Sequence, residues 1–135
     1  MIRYLSRRDI VEINRRMTLE FGGLFTPEND NLCNPNSLNY ILTAPSMRIF
    51  DREIYPDIFQ KAAVYCFYII KDHIFNDGNK RTGLESAFLF LAINQYVPKP
   101  SLNNDLIVKL ALSIKSGDYQ IDQIAEFFSE HFEKQ

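Results

Sequence analysis

The chain has 135 residues, the usual length of one domain, and we expect a single domain over residues 1–135. Its composition, 46% hydrophobic and 24% charged, is that of a folded globular protein and excludes a disordered chain. The net charge of −2 argues against a protein that binds nucleic acid directly, although five arginines fall within the first 16 residues. A solvated helix face explains those arginines, and a local basic patch is the alternative.

No apolar run is long enough to cross a membrane, and the amino-terminal residues lack the apolar stretch of a signal peptide. The two cysteines, Cys33 and Cys66, show no disulfide or metal-ligand spacing, and Cys66 lies inside the apolar run AVYCFYII. We therefore expect a cytoplasmic protein without a membrane partner, in which neither cysteine is a ligand or a nucleophile.

The first predicted helix begins after Ser6, where the pattern S-x-x-D supplies an N-cap oxygen and an acidic partner at Asp9. Its apolar face consists of Ile10, Ile13, Met17 and Phe21, and Gly22 and Gly23 end it. Residues 24–36 have the composition of a long loop, which is either functional or packed as an irregular collar. The run SLNYILTA then predicts a short helix that is capped by Ser37 and ends before Pro45.

The segment PSMRIFDREIYP predicts a small hairpin or an extended flap, because apolar residues stand on both sides of DRE. Pro56 fits the first turn of a helix that extends to about Lys71 and is apolar nearly all round. We expect this helix to be the central, buried one.

Three further helices are predicted after the central one. The first extends from about Asn79 to Tyr96 and is closed by two prolines; the others cover about Asn104–Ser116 and Ile121–His131. The predicted fold class is therefore all-α, a compact helical bundle with one short extended flap or β-hairpin.

The polar run HIFNDGNKRTG, from His73 to Gly83, joins the central helix to the next buried helix. A helix start carries unpaired backbone N–H groups and attracts anions, and Gly78 permits a close approach of backbone and ligand. Asn79 is predicted to cap the helix and fix the loop. Lys80 and Arg81 add two cations where cations are unfavourable by up to about 1 kcal/mol each, so we expect a negative ligand to offset that cost.

A chain of phosphates is the ligand that explains this loop most simply. Asp77 beside the two cations is then a ligand for Mg²⁺, which binds through carboxylates and substrate phosphates. His73 is a candidate general base for a hydroxyl, and Phe75 is expected to point inward and anchor the loop. The alternative from the residues alone is a solvated interhelical loop with a buried histidine and an ordinary helix cap.

The run His73-Ile-Phe-Asn-Asp-Gly-Asn-Lys-Arg81 resembles the conserved loop pattern of the Fic family, H-x-F-x-(D/E)-(G/A)-N-(G/K)-R. Lys80, where many members have glycine, is similar to the Doc branch, the "death on curing" toxins of toxin–antitoxin modules. The resemblance extends over most of the chain and includes YLSRRDIVEIN, GGLF, EIYPDIFQKAAVY and NKRTGLESAFLFLAIN.

This resemblance implies a helical fold that seats the phosphates of ATP on the loop and holds a target segment against the flap. In the Doc branch it implies transfer of the γ-phosphate to elongation factor Tu, which stops translation. Carried over to this chain, it implies that His73 is the base and Asp77 the Mg²⁺ ligand. Gly78, Asn79, Lys80 and Arg81 would bind the nucleotide, and Lys80 and Arg81 would also act in catalysis. Lys71 is either a solvated helix end or a further phosphate contact.

Two departures from other members of the family are informative. Adenylylating members commonly carry a further Arg three positions after the last Arg of the loop pattern, and this chain has Leu84 there. The self-inhibiting pattern (S/T)-x-x-x-E-(G/N) does not occur in the chain, so we expect restraint by a separate antitoxin protein. The alternatives are protein adenylylation by the same residues and a catalytically inactive module that binds a partner.

Overall fold

The computed structural model describes all 135 residues and contains six α-helices and two small antiparallel strand pairs. The helices are α1 (Arg7–Glu20), α2 (Pro35–Thr43), α3 (Ile58–Lys71), α4 (Asn79–Ile93), α5 (Asn104–Ser116) and α6 (Ile121–His131). The strands are β1 (Arg48–Ile49), β2 (Arg52–Glu53), β3 (Tyr96–Pro98) and β4 (Phe132–Lys134), and short 3₁₀ helices cover Pro27–Asn29 and Ala44–Ser46. The predicted helical bundle with a hairpin flap is confirmed.

Helix α1 begins at the predicted cap. The Ser6 hydroxyl accepts a hydrogen bond from the Asp9 backbone N–H at 3.1 Å, and the Asp9 carboxylate accepts one from the Ser6 N–H at 2.8 Å. Ile10 and Ile13 are buried, as the apolar periodicity predicts. The placement of Phe21 on that apolar face was wrong, because Phe21 is the C-cap residue and its side chain is half-exposed.

Helix α3 is the central helix, and it packs chiefly against α4 and α6. Its buried residues point in all directions: Lys61, Ala62, Ala63, Val64, Tyr65, Cys66, Ile69 and Ile70. Burial raises the pKa of the Cys66 thiol, as expected for a cysteine that packs as a small apolar side chain. The predicted start at Pro56 was wrong, since the Asp57 carboxylate caps the helix by accepting a hydrogen bond from Phe59 N–H at 2.6 Å.

The start predicted for α2 was also wrong. The helix begins at Pro35, and its N-cap residue is Asn34, three residues before the predicted cap Ser37. Proline fits this first turn because its fixed φ is helical and its missing N–H has no partner there in any helix.

The predicted flap is a hairpin of two two-residue strands, in which Arg48 pairs with Glu53 and Ile49 with Arg52. The turn residues Phe50 and Asp51 both have positive φ, 51° and 62°, which is the backbone twist that suits a tight hairpin. Lys61 of α3 is fully buried beneath this region and donates hydrogen bonds to Glu53 Oε1 and to the Pro45 carbonyl, both at 2.7 Å. The hairpin is therefore tied to the central helix through a buried charge.

Helix α4 ends at Ile93, so its predicted extension to Tyr96 was wrong. Gln95 has a φ of 73°, and β3 then pairs with β4, the last strand of the chain, with Val97 opposite Glu133. Helices α5 and α6 have the predicted bounds, and Gly117 ends α5 with a φ of 90°. None of the six helices combines the length and the hydropathy that a bilayer-crossing segment requires.

Candidate nucleotide site

The loop between α3 and α4, residues 72–78, is held by the long segment 24–36. Leu32 forms a β-bridge with Phe75, whose side chain is fully buried as predicted. The Ile74 carbonyl accepts hydrogen bonds from the N–H groups of Cys33 and Asn34, at 2.7 and 3.0 Å. Segment 24–36 therefore packs as a collar around this loop.

His73 follows the C-cap residue of α3 and has a φ of 49°, in the left-handed region that glycine usually occupies at this position. A side chain there costs about 1 kcal/mol. The Asn34 side chain holds the turn by donating to the carbonyls of Asp72 at 2.7 Å and His73 at 3.1 Å. The strained turn leaves the His73 imidazole exposed at the helix end.

Asn79 fixes the loop but does not cap α4, so that part of its prediction was wrong. The N-cap is Gly78, whose φ is 77°, and Asn79 is the first helical residue. The Asn79 Oδ1 accepts from Phe75 N–H at 2.9 Å, while Nδ2 donates to the Phe75 carbonyl at 2.8 Å. The second hydrogen of Nδ2 points to His73 Nδ1 at 3.2 Å, so one amide links the histidine to the helix start.

The contact with Asn79 decides where the neutral imidazole carries its proton. Both Phe75 bonds fix the orientation of the Asn79 amide, and its NH₂ group can only donate. His73 Nδ1 is therefore the acceptor, and the neutral ring carries its hydrogen on Nε2. Nδ1 is then the only ring nitrogen that can accept a further proton, and it can do so only when this hydrogen bond is released.

The start of α4 has the properties of an anion site. The backbone N–H groups of Asn79, Lys80 and Arg81 have no acceptor within the protein, and no side chain caps the helix. The side chains of Lys80 and Arg81 are exposed, and neither forms an ion pair with a carboxylate. Backbone donors and positive charge therefore converge on one place, and neither cation is paired with a carboxylate.

Asp77 is the acidic group closest in sequence to these cations, and two backbone donors orient its carboxylate. Oδ2 accepts from Leu24 N–H at 2.9 Å, and Oδ1 accepts from Gly78 N–H at 2.8 Å. Each oxygen keeps a further lone pair. No group of three or more His, Cys, Asp or Glu side chains is placed to bind a metal. A single carboxylate fits Mg²⁺ rather than a metal that needs a complete protein cage, because Mg²⁺ also binds substrate phosphates and water.

A buried polar network beneath the loop includes residues that sequence analysis missed. Asn14 of α1 is fully buried; its Nδ2 donates to the Asp77 carbonyl at 2.8 Å and to Thr82 Oγ1 at 3.0 Å. Its Oδ1 accepts from Asn31 Nδ2 at 2.9 Å, and the Asn31 carbonyl accepts from Asn76 N–H at 2.8 Å. The sequence contained a sign of this network, because the polar residue Asn14 lies four residues after Ile10 and therefore falls on the apolar face of α1.

The six predicted site residues, His73, Asp77, Gly78, Asn79, Lys80 and Arg81, all line one cavity of about 480 Å³. Ile70 and Leu84 also line it, as do residues of α5, a helix that sequence analysis did not connect with the site. Lys71 does not line the cavity, and its Nζ lies near Gly117 at the end of α5. The structure therefore favours a helix-end role for Lys71 over a phosphate contact.

The loop and the residues of α3 and α4 that line the cavity lie in the part of the chain that matches a known family. The family model described as Fic/DOC family matches residues 4–91. The chain is 28% identical over 127 residues to "Protein kinase doc" of Escherichia phage P1, covering 93% of this chain and 92% of that protein. It is 27% identical over 125 residues to "Toxin Doc" of Mycolicibacterium smegmatis, covering 93% of this chain and 90% of that protein. The chain therefore belongs to the Fic/DOC family.

Proposed function

We propose that this chain is a Doc-like toxin that transfers a phosphate from ATP to a hydroxyl of a protein. The observation that carries the proposal is the convergence of three unpaired backbone donors, two unpaired cations, a carboxylate and an imidazole on one cavity. The names of the two relatives, one a protein kinase and the other a toxin, support the same function.

In the proposed reaction the target hydroxyl oxygen attacks the γ-phosphorus while the bond from that phosphorus to the β,γ-bridging oxygen breaks. ADP leaves, and the proton of the hydroxyl passes to His73. Because His73 Nδ1 accepts from Asn79 in the present structure, that hydrogen bond has to be released before the ring takes the proton. Ligand binding that draws Asn79 toward phosphate would release it.

The phosphates would lie on the N–H groups that open α4, with Lys80 and Arg81 neutralising their charge and Gly78 allowing a close approach. Asp77 would hold Mg²⁺, which when bound would neutralise charge on the phosphates and orient them. Leu84, only 8% exposed, lines the cavity at the position where adenylylating relatives commonly carry Arg. A site without that extra cation favours transfer of the terminal phosphate over transfer of AMP.

We propose elongation factor Tu as the target and inhibition of translation as the result, since both are implied for the Doc branch that the loop resembles. A cognate antitoxin is the proposed partner, because the chain carries no self-inhibiting pattern. The proposed site of action is the cytoplasm, where translation takes place.

The test compares ATP labelled at the γ-position with ATP labelled at the α-position, with purified elongation factor Tu and, separately, with a translation extract. We expect only the γ-label to reach elongation factor Tu, and only with Mg²⁺ present. Transfer of the α-label would identify an adenylyltransferase. A γ-labelled protein other than elongation factor Tu would refute the target alone, and no transfer in either sample would indicate an inactive partner-binding module.

The matched control is His73→Asn, because asparagine adopts the left-handed conformation of this position more readily than alanine. It removes the proton acceptor while keeping the turn, so we expect turnover to fall by about 10² to 10⁴-fold with ATP binding retained. A variant that keeps its turnover would show that His73 is not the base.

A further inference from the structure

Asn14 of α1 contacts the loop 72–78 in a way that the proposed chemistry does not use. Its side chain is fully buried and does not line the cavity, so it does not meet a ligand there. Both hydrogens of its Nδ2 are nevertheless donated to the site, one to the Asp77 carbonyl at 2.8 Å and one to Thr82 Oγ1 at 3.0 Å. One buried amide therefore holds two parts of the site.

The contact with the Asp77 carbonyl fixes the peptide bond between Asp77 and Gly78. A trans peptide is planar, so its C=O and N–H groups point in opposite directions. Because the carbonyl points to Asn14, the Gly78 N–H points away from it, and that N–H donates to Asp77 Oδ1 at 2.8 Å. The orientation of this peptide bond therefore sets the place of one oxygen of the carboxylate that would bind Mg²⁺.

The contact with Thr82 fixes the first turn of α4. The Thr82 N–H donates to the Gly78 carbonyl at 2.9 Å, which closes this turn, so Asn14 holds the turn at both of its ends. A Cβ at Gly78 would lie 3.0 Å from Thr18 Cγ2 and 3.3 Å from Asn14 Nδ2, so the loop lies directly on α1. The free N–H groups of residues 79–81 belong to this turn, and their direction therefore depends on Asn14.

The orientation of the Asn14 amide is itself fixed by segment 24–36. The Thr26 N–H can only donate, so the Asn31 atom that it meets at 3.2 Å is Oδ1, and Asn31 Nδ2 faces Asn14. Asn14 therefore presents Oδ1 to Asn31, at 2.9 Å, and Nδ2 to the Asp77 carbonyl. No other orientation of this amide would satisfy both neighbours.

We propose that Asn14 is a positioning residue, which orients the Asp77 carboxylate for Mg²⁺ and the first N–H groups of α4 for phosphate without touching either ligand. The inference rests on the proposed function, because it gives Asn14 a part in binding the same ligand. Groups that orient a metal ligand through hydrogen bonds contribute about 10- to 100-fold to metal affinity or activity. Loss of Asn14 should therefore weaken Mg²⁺ and phosphate binding as well as stability.

The test compares Asn14→Ala with Asn94→Ala, which is the control for the loss of a buried asparagine. Asn94 lies at the other end of α4, outside the cavity, and is 9% exposed. Its amide accepts from the Arg3 N–H at 2.9 Å and donates to the carbonyls of Arg3 at 2.9 Å and Phe90 at 2.8 Å. Both variants should lose stability, and both are measured at a temperature at which circular dichroism shows them folded.

Titration calorimetry with inorganic tripolyphosphate at several Mg²⁺ concentrations measures binding without the reaction. For Asn14→Ala we expect weaker binding and a rise of about 10- to 100-fold in the Mg²⁺ concentration needed for half-maximal binding. Asn94→Ala should bind like the wild type. Asn31→Gly is a milder variant, because glycine suits the φ of 60° at this position and removes the group that orients the Asn14 amide. We expect a smaller change in the same direction.

Binding by Asn14→Ala that equals that of the wild type would overturn the inference. An equal loss of binding in Asn14→Ala and Asn94→Ala would also overturn it, since Asn14 would then serve stability alone. If Asn14→Ala does not fold, an unchanged Mg²⁺ dependence of Asn31→Gly would overturn the inference instead. In each case, transfer of the γ-phosphate by the wild type would leave the proposed function standing. A wild type that binds no tripolyphosphate would overturn the phosphate site together with the inference.

Discussion

The guanidinium of Arg81 lies over the ring of Phe21, with Cζ 3.7 Å from the ring centroid. Phe21 is the C-cap residue of α1 and Arg81 belongs to the first turn of α4, so the contact joins two helices at the edge of the cavity. Face contact with a ring holds the guanidinium plane and leaves the N–H groups at its edge free to bind oxygen. Phe21 therefore acts on the site through Arg81.

Replacing Phe21 with Leu should weaken ATP binding about two- to fivefold, because an exposed cation–π contact contributes about 0.5–1 kcal/mol. Stability should change little, since the Phe21 side chain is 51% exposed. Phe21→Tyr keeps the ring and should bind ATP like the wild type, as measured by calorimetry. Equal affinities for the Leu and Tyr variants would show that the ring does not position Arg81.

The absence of a side chain at Gly23 leaves room for the carboxylate of Asp77. A Cβ at Gly23 would lie 2.9 Å from Asp77 Oδ2, the oxygen that accepts from Leu24 N–H. Gly23→Ala should therefore displace the carboxylate, reduce turnover by about ten- to a hundredfold and raise the Mg²⁺ concentration needed for half-maximal activity.

The neighbouring Gly22→Ala is the matched control. Gly22 has a φ of 79° and open space around it, so a side chain there is strained but touches nothing. We expect a loss of about 1 kcal/mol in stability with normal Mg²⁺ dependence. If both variants need the same Mg²⁺ concentration for half-maximal activity, the absence of a side chain at Gly23 is not what keeps the Asp77 carboxylate in position.

Asn14→Ala should reduce the free energy of unfolding by about 2–3 kcal/mol, because it leaves the buried Asn31 amide and the Thr82 and Asp77 oxygens without their partner. Urea unfolding measures the loss. Asn39→Ala, an exposed position on α2, should stay within about 0.5 kcal/mol of the wild type. A similar small change for both would mean that water replaces Asn14 in the network.

Glu53→Gln should change how stability depends on pH. The hydrogen bond from Lys61 lowers the pKa of Glu53 below its ordinary value of 4.5. A lowered folded-state pKa stabilises the protein at pH values above 4.5, and this contribution disappears as the pH falls through the folded-state pKa. The variant should therefore melt at a lower temperature than the wild type at neutral pH, and the difference should shrink in acid.

Thermal melting at about pH 7 and about pH 3 measures this difference. Glu130→Gln is the control, because Glu130 is exposed and has no ion pair. A Glu53→Gln variant that melts like the control at both pH values would show that the Lys61–Glu53 pair does not stabilise the folded protein.

The sequence by itself determined the helices and the identity of the loop residues. Ser6 with Asp9, Gly78 and Gly117 act through neighbours within a few positions, so capping and positive φ can be predicted from local pattern. The local pattern did not predict the correct first residue of a helix where more than one nearby residue could begin it. Asn34, three residues before Ser37, and Asp57, next to Pro56, also suit a helix start and are the N-cap residues in the structure, although only Asp57 caps its helix through its side chain.

Only the tertiary structure decided which distant residues complete the site. Asn14 meets Asp77 across 63 positions, Phe21 stacks on Arg81, and α5 closes the cavity, although nothing near the loop in sequence specifies any of them. Strand β3 likewise exists because β4 at the end of the chain supplies its hydrogen-bond partners. The reason is physical: periodicity and caps depend on neighbours along the chain, whereas a buried hydrogen bond or a stacked ring depends on which helix faces meet.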